Sequence, residues 1–273
     1  MPRGDFEAGA ADYAKIADVV SGRIASATLK QLPPLRSNSS VLDLACGNGA
    51  VTNTVIKEAL AEGHDPPPAV LGLDLAQSMI NLYQQRADSN SWGTVSSKVQ
   101  DAQNLLGIPN NEFDLVFMNF GIMYTPNASQ CAREVYRVLK PGGYAVFTTW
   151  KEAGIPQLMG RASAAVGSPP AMSPMDNGWN TKEKLLSIVH DGGFRTDDVE
   201  IKMIQTQWEG GSADGIIEAL SAPFWNPLHD GTSEATSTWQ KALRENLTPE
   251  QKKTGSVDML AWACLAKKGE ILE

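Results

Sequence analysis

Three aspartates and a glycine turn are the residues whose types and spacing best suit ligand chemistry. Asp43 lies in the apolar run VLDLA, which leads directly into a Gly-x-Gly turn formed by Gly47 and Gly49. Glycines are needed where a backbone turns tightly or lets a ligand approach closely. Asp74 and Asp101 end the next two runs, where carboxylates can accept hydrogen bonds from ribose hydroxyls and from an adenine amino group. Together these residues indicate a site for a nucleoside-containing ligand.

Each of these residues also has a plainer interpretation. A Gly-x-Gly turn is common between a strand and a helix, Asp74 can stabilise the N-terminus of the next helix, and turns often contain Asp, as at Asp101. A carboxylate inside a strand, as at Asp43, is costly unless it is paired. Asp43 therefore either faces a ligand cavity or holds the amides of the glycine turn. The order of the aspartates at successive strand ends favours the ligand site.

Alternating strands and helices between residues 41 and 150 must position these groups. Apolar runs and helical periodicity define the elements. The predicted strands are 41–45, 70–74, 94–100, 113–119 and 144–150, and the predicted helices are 50–61, 76–87 and 126–140, the last closed by Pro-Gly-Gly. This alternation predicts an α/β fold with a doubly wound, mostly parallel sheet and helices on both faces. Ligands bind such sheets at the carboxyl ends of the strands.

The segments on either side of this core are predicted to cover it. Residues 1–40 form an N-terminal helical lid, with a helix over 1–31. Residues 151–273 supply substrate-binding insertions within the same domain. Their predicted elements are a helix from a capping box at Asn180 and Glu183 to about His190, helices 212–221 and 233–246, and strands 199–208 and 256–268. The two strands extend the sheet to seven as an antiparallel edge pair.

Composition excludes several classes of function. Of the 273 residues, 42% are hydrophobic, yet no 18-residue apolar run indicates a membrane span and the N-terminus does not resemble a secretory signal. Three scattered cysteines predict neither a disulfide framework nor a zinc site, and they suggest the cytoplasm. A net charge of −8 without a basic patch argues against nucleic-acid binding. No acid and histidine cluster has the spacing of metal ligands, so no metal is expected.

A dinucleotide-dependent oxidoreductase is the main competing class, because it also uses a glycine-rich turn and an acid on the second strand. Its fingerprint carries Gly or Ala at a third position, after Gly-x-Gly-x-x. Here Thr52 occupies that position. A ligand without a pyrophosphate needs only a shorter glycine loop. The acid at Asp43, upstream of the glycines, also fits a ligand without a pyrophosphate better than it fits a dinucleotide.

The stretch 41–150 resembles class I, Rossmann-like S-adenosylmethionine-dependent methyltransferases of the ubiquinone- and menaquinone-biosynthesis type. It is also similar to small-molecule methyltransferases of fungal secondary metabolism. The segments that carry the resemblance are VLDLACGNGA, LGLDLAQSMI, QDAQNL, FDLVFMNFGIMY and REVYRVLKPGGYAVFTTW. The resemblance implies in-line transfer of the cofactor's methyl group to an O, N, S or C atom of a hydrophobic small molecule. Alignment and exclusion of water then drive the reaction.

The resemblance also implies which residues bind the cofactor. The methionine portion is expected to bind at Ala45, Gly47 and Gly49, and the reacting methyl group at Asn119 and Phe120. The ribose and adenosine are expected at Asp74, Leu75 and Met79, and the adenine at Asp101 and Ala102. Asp43 completes the set. Tyr13 resembles a lid tyrosine that touches the amino-acid end of the cofactor, and it is equally well explained as a half-buried helix aromatic.

The acceptor pocket is predicted to come from the variable parts of the chain. Aromatic and methionine side chains suit a hydrophobic small molecule, although each could instead fill the core of the lid. The predicted substrate residues are Tyr124, Trp150, Met159, Trp179, Phe224 and Trp225, with Met172 and Met175 in the same insertions. A general base is needed only where the acceptor holds its proton tightly. His229 is the candidate, the alternative being a solvated loop histidine. Two alternative functions are a methyltransferase-like fold that catalyses another reaction and a pure binding module.

Overall fold

The computed structural model describes residues 3–168 and 177–270, with side chains from Gly9 onward. Met172 and Met175 lie outside the described residues. One sheet of seven strands runs in the order β3-β2-β1-β4-β5-β7-β6. Its strands are β1 (Ser40–Leu44), β2 (Ala69–Asp74), β3 (Val95–Val99), β4 (Phe113–Asn119), β5 (Leu139–Ala153), β6 (Val199–Glu209) and β7 (Ser256–Lys267).

The described helices separate the first five strands, except between β3 and β4, and then cluster in the C-terminal part. They are α1 (Arg3–Leu29), α2 (Ala50–Ala61), α3 (Gln77–Ser89), α4 (Ala128–Val138), α5 (Gly154–Ala165), α6 (Lys182–Asp191), α7 (Ala213–Ala219), α8 (Ser233–Asn246) and α9 (Pro249–Thr254). In the described part of the chain, no helix is both long and apolar enough to cross a membrane.

The sheet confirms the predicted α/β class. Strands β1 to β5 pair in parallel, and β7 is antiparallel to both of its neighbours, β5 and β6. Because β1 lies between β2 and β4, the winding of the chain changes direction there. The carboxyl ends of β1 and β4 therefore border the crevice in which ligands of such sheets bind.

Each face of the sheet has its own apolar core. Val41 and Phe117 pack with residues of α1 and α2 on one face, whereas Leu42 and Phe147 pack with residues of α4 and α6 on the other. Side chains alternate between the faces of a strand, so near-continuous apolar runs such as FDLVFM are buried on both sides. The predicted two-sided covering of the sheet is confirmed.

Three details of the predicted elements are wrong. Helix α4 ends at Val138 and β5 already begins at Leu139, because the Pro-Gly-Gly segment pairs with the end of β7: Gly142 N donates to Lys268 O at 2.8 Å. Helix α6 begins one residue later than predicted, since the Thr181 side chain accepts from Lys184 N. The short helix α9 was not predicted, because six residues are too few for a periodic pattern.

Candidate cofactor and acceptor site

Asp43 is fully buried on the face of β1 that packs against α2. Its Oδ2 accepts hydrogen bonds from Thr52 N at 3.1 Å and Thr52 Oγ1 at 2.7 Å. The Thr52 hydroxyl also meets the Tyr83 hydroxyl at 3.0 Å. Asp43 thus holds the first turn of α2, and Thr52 has a structural use at the position where dinucleotide enzymes carry a third glycine. Asp43 Oδ1 is buried without a hydrogen-bond partner among the described residues.

Burial, helped by the negative charge of Asp74, raises the pKa of Asp43 to about 7, against the lowering effect of the two Thr52 hydrogen bonds. A carboxyl group with this pKa is divided between its neutral and charged forms near neutral pH. The burial of Asp43 therefore opposes folding most strongly once the group ionises.

The Asp43→Asn variant is expected to gain stability relative to wild type as the pH rises. At low pH both folded and unfolded Asp43 are protonated, so its contribution to stability is fully present. As the pH rises from the unfolded pKa near 4 to the folded pKa of about 7, that contribution is lost. The loss is as much as about 4 kcal/mol, at about 1.4 kcal/mol per pKa unit. Urea unfolding of both proteins across this range measures it, and parallel pH curves would contradict it.

The glycine turn adopts a backbone that L side chains rarely take. Gly47 and Gly49 have φ values of 52° and 81°, and Ala45 just before them has 56°. A Cβ on Gly49 would lie 2.9 Å from Tyr83, so that position excludes a side chain. A Cβ on Gly47 would meet no atom of the described residues within 4 Å. Open space therefore lies beside the Gly47 backbone, as a closely approaching ligand requires.

Asp74 ties the glycine turn to the start of α3. Its Oδ2 accepts from Gly47 N at 2.9 Å, and its Oδ1 accepts from Ala76 N at 3.0 Å. The hydrogen bond from Gly47 to Asp74 was not predicted, although adjacent parallel strands bring their carboxyl ends together: Leu44 pairs with Leu73. Asp74 therefore lies at the end of β2, directly beside the glycine turn.

The residues predicted for adenosine lie at the ends of β2 and β3. Leu75 is 40% exposed beside Asp74, and Met79 is buried under the first turns of α3. Asp101 accepts from Gln103 N at 2.9 Å, which is the turn geometry that Asp commonly makes. Ala102 is half-buried against the core. The structure thus places this set at the same edge of the sheet as the glycine turn.

The end of β4 carries a second strained turn. Phe120 has a φ of 57°, and its ring stacks on Trp150 of β5 with centroids 3.8 Å apart and planes 10° from parallel. Asn119 Nδ2 donates to Ser21 O of α1 at 3.3 Å. The end of β4 is therefore joined both to β5 and to the helix that passes over it.

Helix α1 contacts this edge of the sheet through Ser21 and Asp18. Burial, together with the nearby Tyr124 and Asp74, raises the pKa of Tyr13, so its phenol stays neutral. Five residues further along α1, Asp18 forms an ion pair with Arg86 of α3 and accepts from Asn48 Nδ2 of the glycine turn at 3.4 Å. Sequence analysis did not detect this pair, because nothing in the local pattern joins α1 to α3.

Most of the predicted substrate residues lie together, around Tyr13, which was predicted to contact the cofactor. Tyr13 contacts Phe224 and stacks on Trp225 at 5.9 Å, and the Trp225 indole donates to Asp12 O. Trp150 and Met159 pack against the same hydrophobic cluster as these aromatics. Tyr124, 38% exposed in the turn after β4, lies near Tyr13. Trp179 is placed apart from that group, buried with residues of α6, and the candidate base His229 is exposed on its loop.

These residues fit a cofactor that presents a nucleoside and an amino-acid end. The open space at Gly47, the Asp43 Oδ1 atom without a partner among the described residues and the carboxylate of Asp74 at the end of β2 offer room and oxygen acceptors for such a ligand. Among the described residues, no group of three or more His, Cys, Asp and Glu side chains could hold a metal ion.

The family described as "Methyltransferase domain" matches residues 35–193, which hold the glycine turn and all three aspartates. The chain belongs to this family. It is an S-adenosylmethionine-dependent methyltransferase, and S-adenosylmethionine is its cofactor, as the sequence predicts.

Relatives by sequence include a fungal enzyme and a bacterial one. Methyltransferase tpcH of Aspergillus fumigatus is 26% identical over 239 residues, 83% of either chain. The ubiquinone/menaquinone biosynthesis C-methyltransferase UbiE of Bartonella quintana is 28% identical over 163 residues. That second match covers 58% of this methyltransferase and 61% of its relative.

Solved structures share the fold at low identity. Phosphoethanolamine N-methyltransferase 2 of Haemonchus contortus, in complex with S-adenosylhomocysteine, gives a TM-score of 0.61 at 18% identity, covering 97% of this chain and 58% of that one. The [4+2]-cyclase SpnF gives a TM-score of 0.55 at 18% identity, covering 93% and 81%. At these identities the likeness establishes the fold alone.

Proposed function

We propose that this methyltransferase methylates a hydrophobic small molecule, bound between the ends of β4 and β5 and a lid formed by α1 and the loop at residues 224–225. The observation that carries the proposal is the aromatic group at this edge, where Phe120 stacks on Trp150 and Tyr13 packs with Trp225. Aromatic surfaces of this kind bind apolar ligands and keep water out.

The cofactor supplies a methyl group on an already activated sulfonium. The chain's own task is therefore to bind, align and desolvate. Asp74 accepts the ribose hydroxyls and Asp101 the adenine amino group, while the backbone of the glycine turn faces the methionine portion. The neutral Tyr13 phenol can donate a hydrogen bond but cannot take up a proton. His229 is the proposed base only for an acceptor that holds its proton tightly, and its exposure favours a solvated role.

The kind of acceptor follows from the resemblance to fungal small-molecule enzymes and from the relatives' names. UbiE is named as a C-methyltransferase of ubiquinone and menaquinone biosynthesis, and tpcH comes from a fungus. We therefore propose a hydrophobic acceptor of secondary metabolism. The sequence contains no basic patch, which favours a small molecule over a nucleic acid as the methyl acceptor.

A second candidate function is a reaction other than methyl transfer on the same fold. SpnF, which shares the fold and is described as a [4+2]-cyclase, is an example of another reaction on this fold. An oxidoreductase is disfavoured, because Thr52 is bound to Asp43 at the position where a third glycine would be needed.

S-adenosylmethionine and S-adenosylhomocysteine are each expected to raise the melting temperature, whereas NADH and NADPH are not, because a ligand that binds only the folded state stabilises it. Tight NADPH binding without S-adenosylmethionine binding would overturn the proposal. Methyl-labelled S-adenosylmethionine and a metabolite extract then test transfer, with mass spectrometry detecting products that have gained one CH₂. Cofactor binding combined with an unlabelled new product would instead favour the second candidate.

A further inference from the structure

The backbone of Phe120 is held in an unfavourable conformation at the end of β4. Left-handed φ values are unfavourable for a non-glycine residue, and they persist only where the surroundings enforce them. Here Phe120 is buried with a φ of 57°, and Gly121 follows it with no room for a side chain: a Cβ would lie 2.5 Å from the Ala45 Cβ. Some neighbouring group must therefore fix the Phe120 peptide.

Thr148 of β5 supplies that group. Its fully buried hydroxyl accepts from Phe120 N at 2.9 Å and donates to Asn119 Oδ1 at 2.7 Å. Asn119 Nδ2 in turn donates to Ser21 O on α1. One hydroxyl thus joins the strained turn to the helix that covers the site.

Trp150 adds a second restraint from the same strand. Thr148 and Trp150 are two residues apart, so both project from the same face of β5. Thr148 binds the Phe120 backbone, while Trp150 stacks on the Phe120 ring. Thr148 therefore fixes the peptide of Phe120 and Trp150 fixes its ring, from neighbouring positions on one face of β5.

We propose that Thr148 is a positioning residue for methyl transfer: through its hydroxyl it fixes the Phe120 turn against which the reacting groups are aligned, and it links that turn to α1. This inference rests on the proposed function. It predicts that loss of the hydroxyl slows transfer while leaving cofactor binding at Asp74 and Gly47 largely intact.

The adjacent Thr149 provides a matched control. It is also fully buried in β5, but its hydroxyl has no hydrogen-bond partner among the residues that the structure describes. Thr148→Val and Thr149→Val make the same substitution at neighbouring buried positions, and only the first removes hydrogen bonds. Thr148→Ser keeps the hydroxyl and is expected to restore wild-type behaviour.

The experiment measures label transfer from S-adenosylmethionine to a metabolite extract, S-adenosylhomocysteine affinity by calorimetry, and exchange of the Phe120 amide by NMR. For Thr148→Val we expect amide exchange at least about tenfold faster, transfer at saturating cofactor about five- to tenfold slower, and affinity within about threefold of wild type. Thr149→Val and Thr148→Ser should match wild type within about twofold.

Equal exchange in the two valine variants, normal transfer in a folded Thr148→Val protein, or no rescue by serine would each overturn the proposal. If wild type itself transfers no label, the proposed function fails. The amide exchange of Phe120, which needs no acceptor, still separates the two valine variants in that case. The two failures are thereby distinguishable.

Discussion

The Asp74→Ala variant is expected to bind S-adenosylhomocysteine about 10- to 150-fold more weakly than wild type. This corresponds to roughly 1.5–3 kcal/mol, the usual scale for hydrogen bonds to a charged group. The carboxylate accepts Gly47 N and Ala76 N, which holds it at the end of β2 beside the glycine turn, where we expect the ribose hydroxyls to bind. Calorimetry on the purified protein measures the change.

Asp74→Asn is the control for this variant. It keeps the size of the side chain and one acceptor oxygen, so it can still hold one backbone amide, but it loses the charge. We expect an affinity between those of wild type and Asp74→Ala, with both variants folded because Asp74 lies at a strand end. An unchanged dissociation constant in folded Asp74→Ala would mean that the acid only holds the glycine turn and the start of α3.

The sequence predicted those parts of the fold and site that depend on neighbouring residues. The strands around Asp43 and Asp74 and the glycine turn were found because apolar runs and glycines are local signals. The link between Asp74 and Gly47 and the pairing of Asp18 with Arg86 were missed. These contacts join polar groups that only the tertiary fold brings together.

The aromatic residues show the same limit. Trp179 and Trp225 give the same signal in the sequence, a tryptophan in an irregular insertion. In the structure Trp179 is buried with residues of α6, whereas Trp225 packs on Tyr13 of α1. Composition predicts an aromatic lining but not the face of the sheet on which each ring lies, because the crossover connections decide that.

The Trp225→Ala variant is expected to methylate the metabolite extract at least about tenfold more slowly, a loss of about 1.4 kcal/mol in transition-state stabilisation. Trp225 stacks on Tyr13 and its indole donates to Asp12 O, so its removal frees the part of α1 nearest Asp74 and Tyr124. Affinity for S-adenosylhomocysteine should change by less than about threefold, since Asp74 and the glycine turn are untouched.

Loss of stability must be separated from loss of the site, because Trp225 is only 6% exposed and truncating a buried Trp costs about 3–5 kcal/mol. Trp239→Ala is the matched control. Trp239 lies on α8 in the same hydrophobic cluster, and its fully buried indole donates a hydrogen bond to Leu220 O. Assays run below both melting temperatures, with cofactor binding as proof of folding. We expect Trp239→Ala to lose stability yet retain most of its transfer rate. If folded Trp225→Ala transfers normally, the acceptor lies instead against α1 and α5.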